Sequence, residues 1–226
     1  TNDTHTHAVQ AQSGTAKTDR SDSSCPQLCL SIPPEAEYII EKLEENGFEA
    51  YVVGGCVRDS LLGRTPVDWD ITTKAAPEQV KAIFGRTIDT GIAHGTVTVM
   101  RGKEAYEVTT YRIDGEYEDG RHPRNVAFTP YLEEDLKRRD FTINAMAYSR
   151  SGGLIDIFEG QKALAEKRIR CVGDPLDRFG EDALRILRAV RFSAQLGFDI
   201  DQETREAIIT MAPNLARVSK ERIHTE

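Results

Sequence analysis

The chain has 226 residues, of which 39% are hydrophobic and 29% charged, and its formal net charge is −8. This composition is ordinary for a globular protein of one or two domains with a stable core, and it excludes an overall basic surface for nucleic acid. No window approaches the ~18 apolar residues of a membrane helix, so we expect no membrane association. The four cysteines follow no zinc or disulfide spacing and the N-terminus carries no hydrophobic signal, so we expect a reduced, cytoplasmic protein.

The first part of the chain predicts a tail followed by short alternating elements. Residues 1–30 are poor in apolar side chains and rich in Ser, Thr and Asp, which is typical of a disordered tail. A helix is predicted from Pro33, because apolar residues then recur at helical spacing until Gly47. The apolar run 50–55 predicts a strand that ends in paired glycines, and residues 57–63 predict a short amphipathic helix.

The next elements are predicted to complete a small sheet. VDWDIT (67–72) alternates as a strand does, and residues 77–84 predict a helix with proline in its first turn. Residues 94–100 and 104–111 predict a hairpin. The segment 112–130 is polar and rich in Gly and Pro, and a loop of this length is usually mobile or functional.

Helical patterns dominate from Leu132 onward. Residues 132–149 and 177–197 each predict one continuous helix, and a further helix is predicted near the end of the sequence. The organisation is therefore a small mixed α/β unit of about four or five strands followed by helices. The last segment, SKERIHTE, has the pattern of a helix start, so we expect the sequence to be part of a longer chain.

Asp68 and Asp70 are the first candidate site residues. Side chains two positions apart on a strand share one face, so their carboxylates would lie ~6–7 Å apart. They repel each other unless a cation lies between them, and burying unpaired carboxylates is costly. Hard oxygen ligands completed by a substrate phosphate suit Mg²⁺, so the pair predicts a magnesium site. The alternative is an Asp-x-Asp pair on a solvated strand face.

Neighbouring residues extend this candidate site. The glycine turn at Gly55 lets backbone N–H groups approach a phosphate, and Arg58 adds a charge-assisted contact. Glu107 alternates with apolar residues on its predicted strand and is the candidate for a third acidic ligand. An ordinary exposed strand glutamate is the alternative for Glu107.

LKRRDFTINA contains a second set of candidates. Asp140 and Asn144 fall at i, i+4 on one face of the predicted helix, where they can hydrogen-bond sugar hydroxyls. Arg139 lies beside them and can reach a triphosphate. A capping role or an exposed polar face is the alternative.

The helix GEDALRILRAVRF contains the third set. Asp182 accepting from an exocyclic amine, with Arg185 donating to a ring nitrogen, would select cytosine and adenine over guanine and uracil. The alternative is a routine surface pair between Glu181 and Arg185, worth only ~0.2–0.5 kcal/mol. The residues predicted to form the buried stripe are Leu184, Leu187, Val190 and Ala194.

In this order the blocks resemble the class II tRNA nucleotidyltransferases, which are the CCA-adding enzymes and their bacterial poly(A) polymerase relatives. The resemblance spans Pro33 to Glu226 and is carried by VGGCVRDSLLGRTPVDWDI, GIAHGTVTV, AYEVTTYR, GEYEDGRHP, LKRRDFTINAMAY and RFGEDALRILRAVRF. It implies an α+β fold: a polymerase-β-like head with a mixed sheet of about five strands over residues 31–160, and an all-helical neck over 161–226. It also implies that the loop 112–130 helps to switch specificity from C to A.

The resemblance implies roles for individual residues. Asp68 and Asp70 correspond to the metal ligands, and Asp182 with Arg185 to the residues that read the base. The remaining nucleotide-binding positions are Gly55, Arg58, Arg139, Asp140, Asn144, Arg188 and Arg191.

We therefore expect an enzyme that adds C and A to the 3′ end of tRNA from CTP and ATP. Asp68, Asp70 and Glu107 are the expected catalytic residues, with two Mg²⁺ ions as cofactor. Poly(A) tailing and CC-only or A-only addition stay open within the family. A nucleotide- or RNA-binding fragment with little activity is a further alternative, because the family's helical body and tail, which hold the tRNA acceptor arm, would follow Glu226. No protein partner is predicted.

Overall fold

The structure, a computed structural model, describes residues 29–115 and 126–226. These residues form an α+β fold around a mixed seven-stranded sheet, which confirms the predicted fold class. The predicted disordered tail, residues 1–30, lies outside the described residues except for its last two positions, of which Leu30 packs into the core. In the described ranges, no helix combines the length and apolar character required to cross a bilayer.

The strands define the sheet and two small ribbons. The main sheet has the order β3-β4-β5-β2-β1-β8-β9, in which only the β2–β5 pair is parallel among the described strands. In chain order the strands are β1 (Ala50–Val53), β2 (Ile71–Thr73), β3 (Thr87–Gly91), β4 (Thr96–Arg101), β5 (Glu104–Thr110), β6 (Arg112–Asp114), β7 (Val126–Phe128), β8 (Ala147–Ser149), β9 (Gly153–Ile155), β10 (Arg168–Ile169) and β11 (Asp199–Ile200).

Helices cover the sheet and continue beyond it. They are α1 (Pro34–Glu45), α2 (Gly55–Leu61), α3 (Pro77–Ile83), α4 (Leu132–Lys137), α5 (Gly160–Ala165), α6 (Pro175–Glu181), α7 (Leu184–Leu196), α8 (Gln202–Met211) and α9 (Lys220–Thr225). One apolar core runs through both parts, from Ile39 on α1 across Val52 and Val108 of the sheet to Phe141 and Phe192. The helices that follow the sheet are therefore packed onto it as one body.

The sheet has more strands than the sequence indicated, because 132–149 is not one helix. α4 ends at Lys137, and β8 forms at Ala147–Ser149, where it pairs with β1 and β9. Val172 N–H donates to the Asp140 carbonyl at 3.0 Å, so backbone pairing with another segment replaces the helical bonds there. Tertiary pairing of a fully buried segment overrides its local helical pattern.

The prediction of one continuous helix over 177–197 was also wrong. The helix is interrupted at Asp182, whose extended backbone separates α6 from α7. The predicted buried stripe is displaced as well, since Val190 is 52% exposed while Ile186 and Ala189 are buried. The region 161–226 contains, besides its helices, the short parallel pair β10–β11.

The predicted loop 112–130 is bounded by a ribbon. β6 and β7 pair antiparallel with Arg112 opposite Phe128, which fixes the two ends of the segment against each other. Residues 116–125 of this predicted loop lie outside the described residues.

Candidate functional site

A glycine turn at the end of β1 forms one wall of the candidate site. Gly54 has φ +82°, and a Cβ atom there would lie 3.1 Å from Nη1 of Arg139. A Cβ atom on Gly55 would lie 3.5 Å from Nη2 of Arg58. Glycine is thus required at position 54 by the backbone, and its missing side chain leaves space in front of a guanidinium group.

Asp68 and Asp70 lie beside this turn, but not on a strand as predicted. β2 begins at Ile71, and the prediction of strand for 67–70 was wrong, since Val67 is 97% exposed and makes no contribution to the core. The first backbone contact to β1 is made by Val53 N–H, which donates to the Asp70 carbonyl at 3.0 Å. This bond places Asp70 next to the residue that opens the glycine turn.

Three acidic side chains influence one another here. Burial raises the pKa of Asp70, the Arg139 guanidinium opposes this shift, and the carboxylates of Asp68 and Glu107 raise the pKa further. Glu107 is near because β5 runs parallel to β2, with Val108 opposite Ile71. Within the described ranges, neither Asp68 nor Asp70 has a lysine or arginine at ion-pair distance. Among the described residues, Arg139 therefore compensates this negative charge only in part and without an ion pair.

This donor set fits a divalent cation. Mutual repulsion of carboxylates is relieved by a bound cation, and oxygen ligands suit Mg²⁺. In the part of the chain that the structure describes, no three acidic, histidine or cysteine side chains are close enough to form a complete ligand set. Asp68 and Asp70 would thus supply two carboxylates, and water or substrate oxygens the remaining ligands.

A hydrogen-bonded network starts at Arg58. Its Nη1 donates to Oδ1 of Asn144 at 2.7 Å, and Asn144 Nδ2 donates to Oδ1 of Asp140 at 3.2 Å. Arg188 Nε then donates to Oδ2 of Asp140 at 2.7 Å. Arg58 also forms a two-point contact with Asp59, at 2.9 and 3.0 Å. The structure therefore brings together four of the predicted nucleotide-binding residues.

Asp140 is the centre of this network. It is 8% exposed, and its Oδ1 also accepts from the backbone N–H of Phe141 at 2.7 Å. Burial would raise the pKa of the Asp140 carboxyl, but the Arg188 guanidinium outweighs it and holds this pKa below the usual range. Both oxygens are engaged, so Asp140 orients Arg188 and Asn144 in this structure.

Arg139 has a different partner. Its Nη2 lies 3.4 Å from Oδ2 of Asp135, a fully buried carboxylate that also accepts from Arg138 Nη2 at 2.9 Å and from Thr72 Oγ1 at 3.2 Å. Arg139 Nε is buried with no hydrogen-bond partner among the described residues. Sequence reasoning missed Asp135, although its i, i+4 spacing to Arg139 was a usable signal.

The structure does not bring the two predicted base-reading side chains together. Asp182 Oδ1 accepts from Leu184 N–H at 3.0 Å and Oδ2 from Arg222 Nη2 at 2.7 Å. Arg185 is 9% exposed, and its guanidinium bonds to Glu181 Oε2 at 2.6 Å and to the Arg138 carbonyl at 3.1 Å. In this arrangement Asp182 connects the junction between α6 and α7 to α9.

Arg188 and Arg191 lie together on α7. Arg191 Nε bonds to Oε1 of Glu226 at 2.6 Å, and Arg188 Nη1 lies 3.7 Å from Oε2 of the same residue. Both guanidinium groups also lie over the ring of Phe192. Sequence reasoning missed Phe192, although it follows Arg188 at helical i, i+4 spacing.

Comparisons with known proteins identify the family of this chain. Residues 50–170 match the family described as "Poly A polymerase head domain", and residues 197–226 match "Probable RNA and SrmB- binding site of polymerase A". The CCA-adding enzyme of Leuconostoc mesenteroides is 53% identical over 192 residues, which are 85% of this chain and 48% of that enzyme.

Two solved structures are similar in fold. The Bacillus stearothermophilus CCA-adding enzyme in complex with CTP superposes with a TM-score of 0.78 at 50% identity, covering 84% of this chain and 47% of that one. The Thermotoga maritima CCA-adding enzyme complexed with tRNA has a TM-score of 0.68 at 28% identity, covering 86% of this chain and 46% of that one. The chain spans about half the length of the relatives it matches.

Proposed function

Because this chain belongs to the poly(A) polymerase head-domain family of tRNA nucleotidyltransferases, we propose that it carries the nucleotidyl-transfer site of a CCA-adding enzyme. The reaction transfers CMP and AMP from CTP and ATP to the 3′-hydroxyl of a tRNA and releases pyrophosphate. Relatives solved with CTP and with tRNA support this choice of substrates. The cytoplasmic location stays a prediction from the sequence.

One observation carries the proposal most directly. At the glycine turn, the partly compensated carboxylates of Asp68 and Asp70 lie near the Arg139 guanidinium, whose Nε has no partner in the described residues. A nucleoside triphosphate with a bound cation has the complementary charges. Its phosphates would bind the arginine, and its metal ion would bind the carboxylates.

Asp68 and Asp70 would hold Mg²⁺, and Glu107 adds negative charge beside them. Magnesium bound there would lower the pKa of the attacking 3′-hydroxyl and offset the charge of the leaving pyrophosphate. Asp68 and Asp70 are suited to this because neither forms an ion pair with a described residue, and the charges of Asp68 and Glu107 disfavour the ionised form of Asp70.

The arginine side of the site would bind and orient the nucleotide. Arg139 lies at the glycine turn and presents its guanidinium to the space that a Cβ on Gly54 would fill, so it is placed to receive phosphate oxygens. Arg58 is oriented by Asn144 and Asp59. Asp140 takes part through Arg188, since its own oxygens are already engaged.

Base selection by Asp182 and Arg185 is the finer part of the proposal. An Asp182 carboxylate that accepts from a cytosine or adenine amine must first exchange its contact with Arg222. Arg185 must likewise turn a donor from Glu181 or from the Arg138 carbonyl towards the base. Nucleotide binding is therefore coupled to a local rearrangement between α6, α7 and α9.

The test is incubation with Mg²⁺ and each nucleoside triphosphate singly, using tRNA that ends at the discriminator base, at C or at CC. We expect CTP to extend the first two and ATP the third, with no use of GTP or UTP. Repeated addition of A would identify a poly(A) polymerase, and use of only CTP or only ATP a partial CCA enzyme. Binding of CTP without any extension would identify a nucleotide-binding protein and overturn the proposal.

The matched variants are Asp68→Ala in the site and Asp199→Ala, which removes an exposed carboxylate of β11. We expect Asp68→Ala to lose extension and Asp199→Ala to keep it. If Asp68→Ala retains all activity, the assignment of the acidic pair is wrong.

A further inference from the structure

Phe192 on α7 lies where the helices join the sheet domain. Its side chain is buried, with the residue 5% exposed, and its ring meets Phe141 edge to face at a centroid distance of 5.9 Å and an interplanar angle of 83°. Phe141 follows Asp140 directly, so the ring is fixed against the segment that holds the centre of the arginine network.

Three guanidinium groups surround this ring. The Cζ atom of Arg191 lies 4.4 Å from the ring centroid, that of Arg58 5.1 Å and that of Arg188 5.3 Å. Arg58 comes from α2, whereas Arg188 and Arg191 come from α7, so the ring contacts cations from distant parts of the sequence. All three distances are within the ~6 Å at which a cation is attracted by the face of an aromatic ring.

Among the described residues, no single carboxylate pairs with all three arginines. Arg58 pairs with Asp59 and Arg188 with Asp140, while Glu226 lies 2.6 Å from Arg191 Nε and 3.7 Å from Arg188 Nη1. Three positive groups brought close together repel one another. Among the described residues, the Phe192 ring is the group that contacts all three.

An aromatic ring, unlike a carboxylate, attracts a guanidinium group without accepting its N–H hydrogen bonds. It attracts the flat face of a guanidinium and leaves the N–H groups on its edge available for hydrogen bonds. Phosphate oxygens are bound by those edge donors. The ring thus attracts an arginine without using its N–H donors. In the chain without nucleotide Arg58 donates to Asn144 and Asp59, so it must exchange one of these bonds to reach a phosphate.

We propose that Phe192 is a positioning residue that holds Arg58, Arg188 and Arg191 as one cluster for the incoming nucleotide. This inference rests on the proposed function for its ligand, but the positioning itself is a property of the chain without nucleotide. Removal of the ring allows the three guanidinium groups to move apart, because their cation–π contacts are lost. We expect the affinity for the nucleotide to fall about tenfold as a result.

The first test needs no nucleotide. In the 226-residue chain, the Nε–Hε NMR signals of Arg58, Arg188 and Arg191 are compared between wild type, Phe192→Leu and Phe179→Leu. Phe179 is a fully buried phenylalanine of α6 in the same core, and the described residues place no guanidinium over its ring. We expect the three signals to lose their ring-current shift and sharpen in Phe192→Leu alone. Equal changes in both variants, or none, would overturn the proposal.

The second test measures the dissociation constant of CTP with Mg²⁺ by calorimetry, with Phe192→Tyr added because it retains the ring. We expect Phe192→Leu to weaken binding about tenfold, while Phe192→Tyr and Phe179→Leu stay close to wild type. Unchanged affinity in Phe192→Leu would overturn the positioning role. A wild-type chain that binds no CTP would instead contradict the proposed function, and the NMR comparison would still decide whether the ring gathers the arginines.

Discussion

Asp68 and Asp70 on one side of the glycine turn, and the arginine network on the other, carry their charges in different ways. In the network, Arg58, Asp140 and Arg188 each have a hydrogen-bonded partner at 2.7 Å. The two aspartates have no ion pair in the described ranges, and burial, together with repulsion from Asp68 and Glu107, raises the pKa of Asp70. The same fold thus leaves one cluster electrostatically complete and the other incomplete.

The arginine network is therefore completed by folding itself, whereas the pair of Asp68 and Asp70 is completed by a ligand. Buried charges are tolerated when they are paired, which the network achieves with its own side chains. Acids that repel one another and have no ion-pair partner cost stability until a cation binds. Substitutions in the network should therefore act mainly on stability, and substitutions in the acidic pair mainly on activity.

Asp70→Ala should give the largest effect, because it removes a predicted metal ligand. We expect CTP incorporation into tRNA to fall about 1,000-fold or more, corresponding to several kcal/mol of transition-state stabilisation. Glu107→Gln should reduce the rate less, since Glu107 acts through charge alone in this structure. The measurement is single-turnover extension of a 3′-truncated tRNA. If Glu107→Gln is as damaging as Asp70→Ala, Glu107 is a direct ligand.

Asp140→Ala should be next, because it leaves the partly buried Arg188 without its carboxylate. We expect the free energy of unfolding in urea to fall by about 3 kcal/mol, as is usual when one member of a buried pair is removed. The matched control is Asp89→Ala, which breaks an exposed pair with Lys81 and should cost only about 0–1 kcal/mol. Equal losses in the two variants would show that the network is not a stabilising element.

Magnesium should raise the stability of the wild-type chain by a smaller amount. At a concentration ten times its dissociation constant, a cation that binds only the folded state adds about 1.4 kcal/mol, measured as an increase in Tm. We expect the increase to disappear in Asp70→Ala and to persist in Asp89→Ala. An increase that survives the loss of Asp70 would place the cation elsewhere.

Asp70→Asn should give the smallest effect, and it should be stabilising. The pKa of Asp70 is raised in the folded chain, so the folded state resists ionisation and stability decreases as pH rises from the unfolded towards the folded pKa. Removing the charge should raise the Tm at neutral pH by about 1–2 °C, a small gain because Asp70, although burial raises its pKa, is still partly open to solvent that screens the charge. The gain should vanish at low pH, where Asp70 of the wild type is protonated in both the folded and the unfolded state, and a gain independent of pH would rule out this electrostatic origin.

Much of the fold could be predicted because periodicity is local. Hydrophobic spacing located α1, α3 and the β4–β5 hairpin, and paired glycines located the turn after β1. The helix predicted over 132–149 was wrong because Ala147–Ser149 is buried between β1 and β9, and pairing with distant strands is not visible in a short window. The strand predicted over 67–70 was wrong because alternation alone does not show whether a segment reaches the sheet.

The site was predictable as a set of residue types and less so as a set of contacts. The spacing of Asp140 and Asn144 indicated that they meet, and they do, although in a segment that is not one helix. The orientation of Arg185 towards Glu181 and the Arg138 carbonyl depends on the break at Asp182. Aspartate is favoured at the residue before a helix, so Asp182 itself indicated a break at this position. The apolar periodicity of α7 obscured that indication.

The arginine network also has a consequence for how the protein is made. Arg58 bonds to Asn144, 86 positions further along, and Arg188 bonds back to Asp140, 48 positions earlier. Chains are synthesised from the N-terminus, and contacts between distant positions form late in folding. A nascent chain therefore exposes Arg58 without its partner until Asn144 has left the ribosome, and the network is complete only after Arg188 has followed.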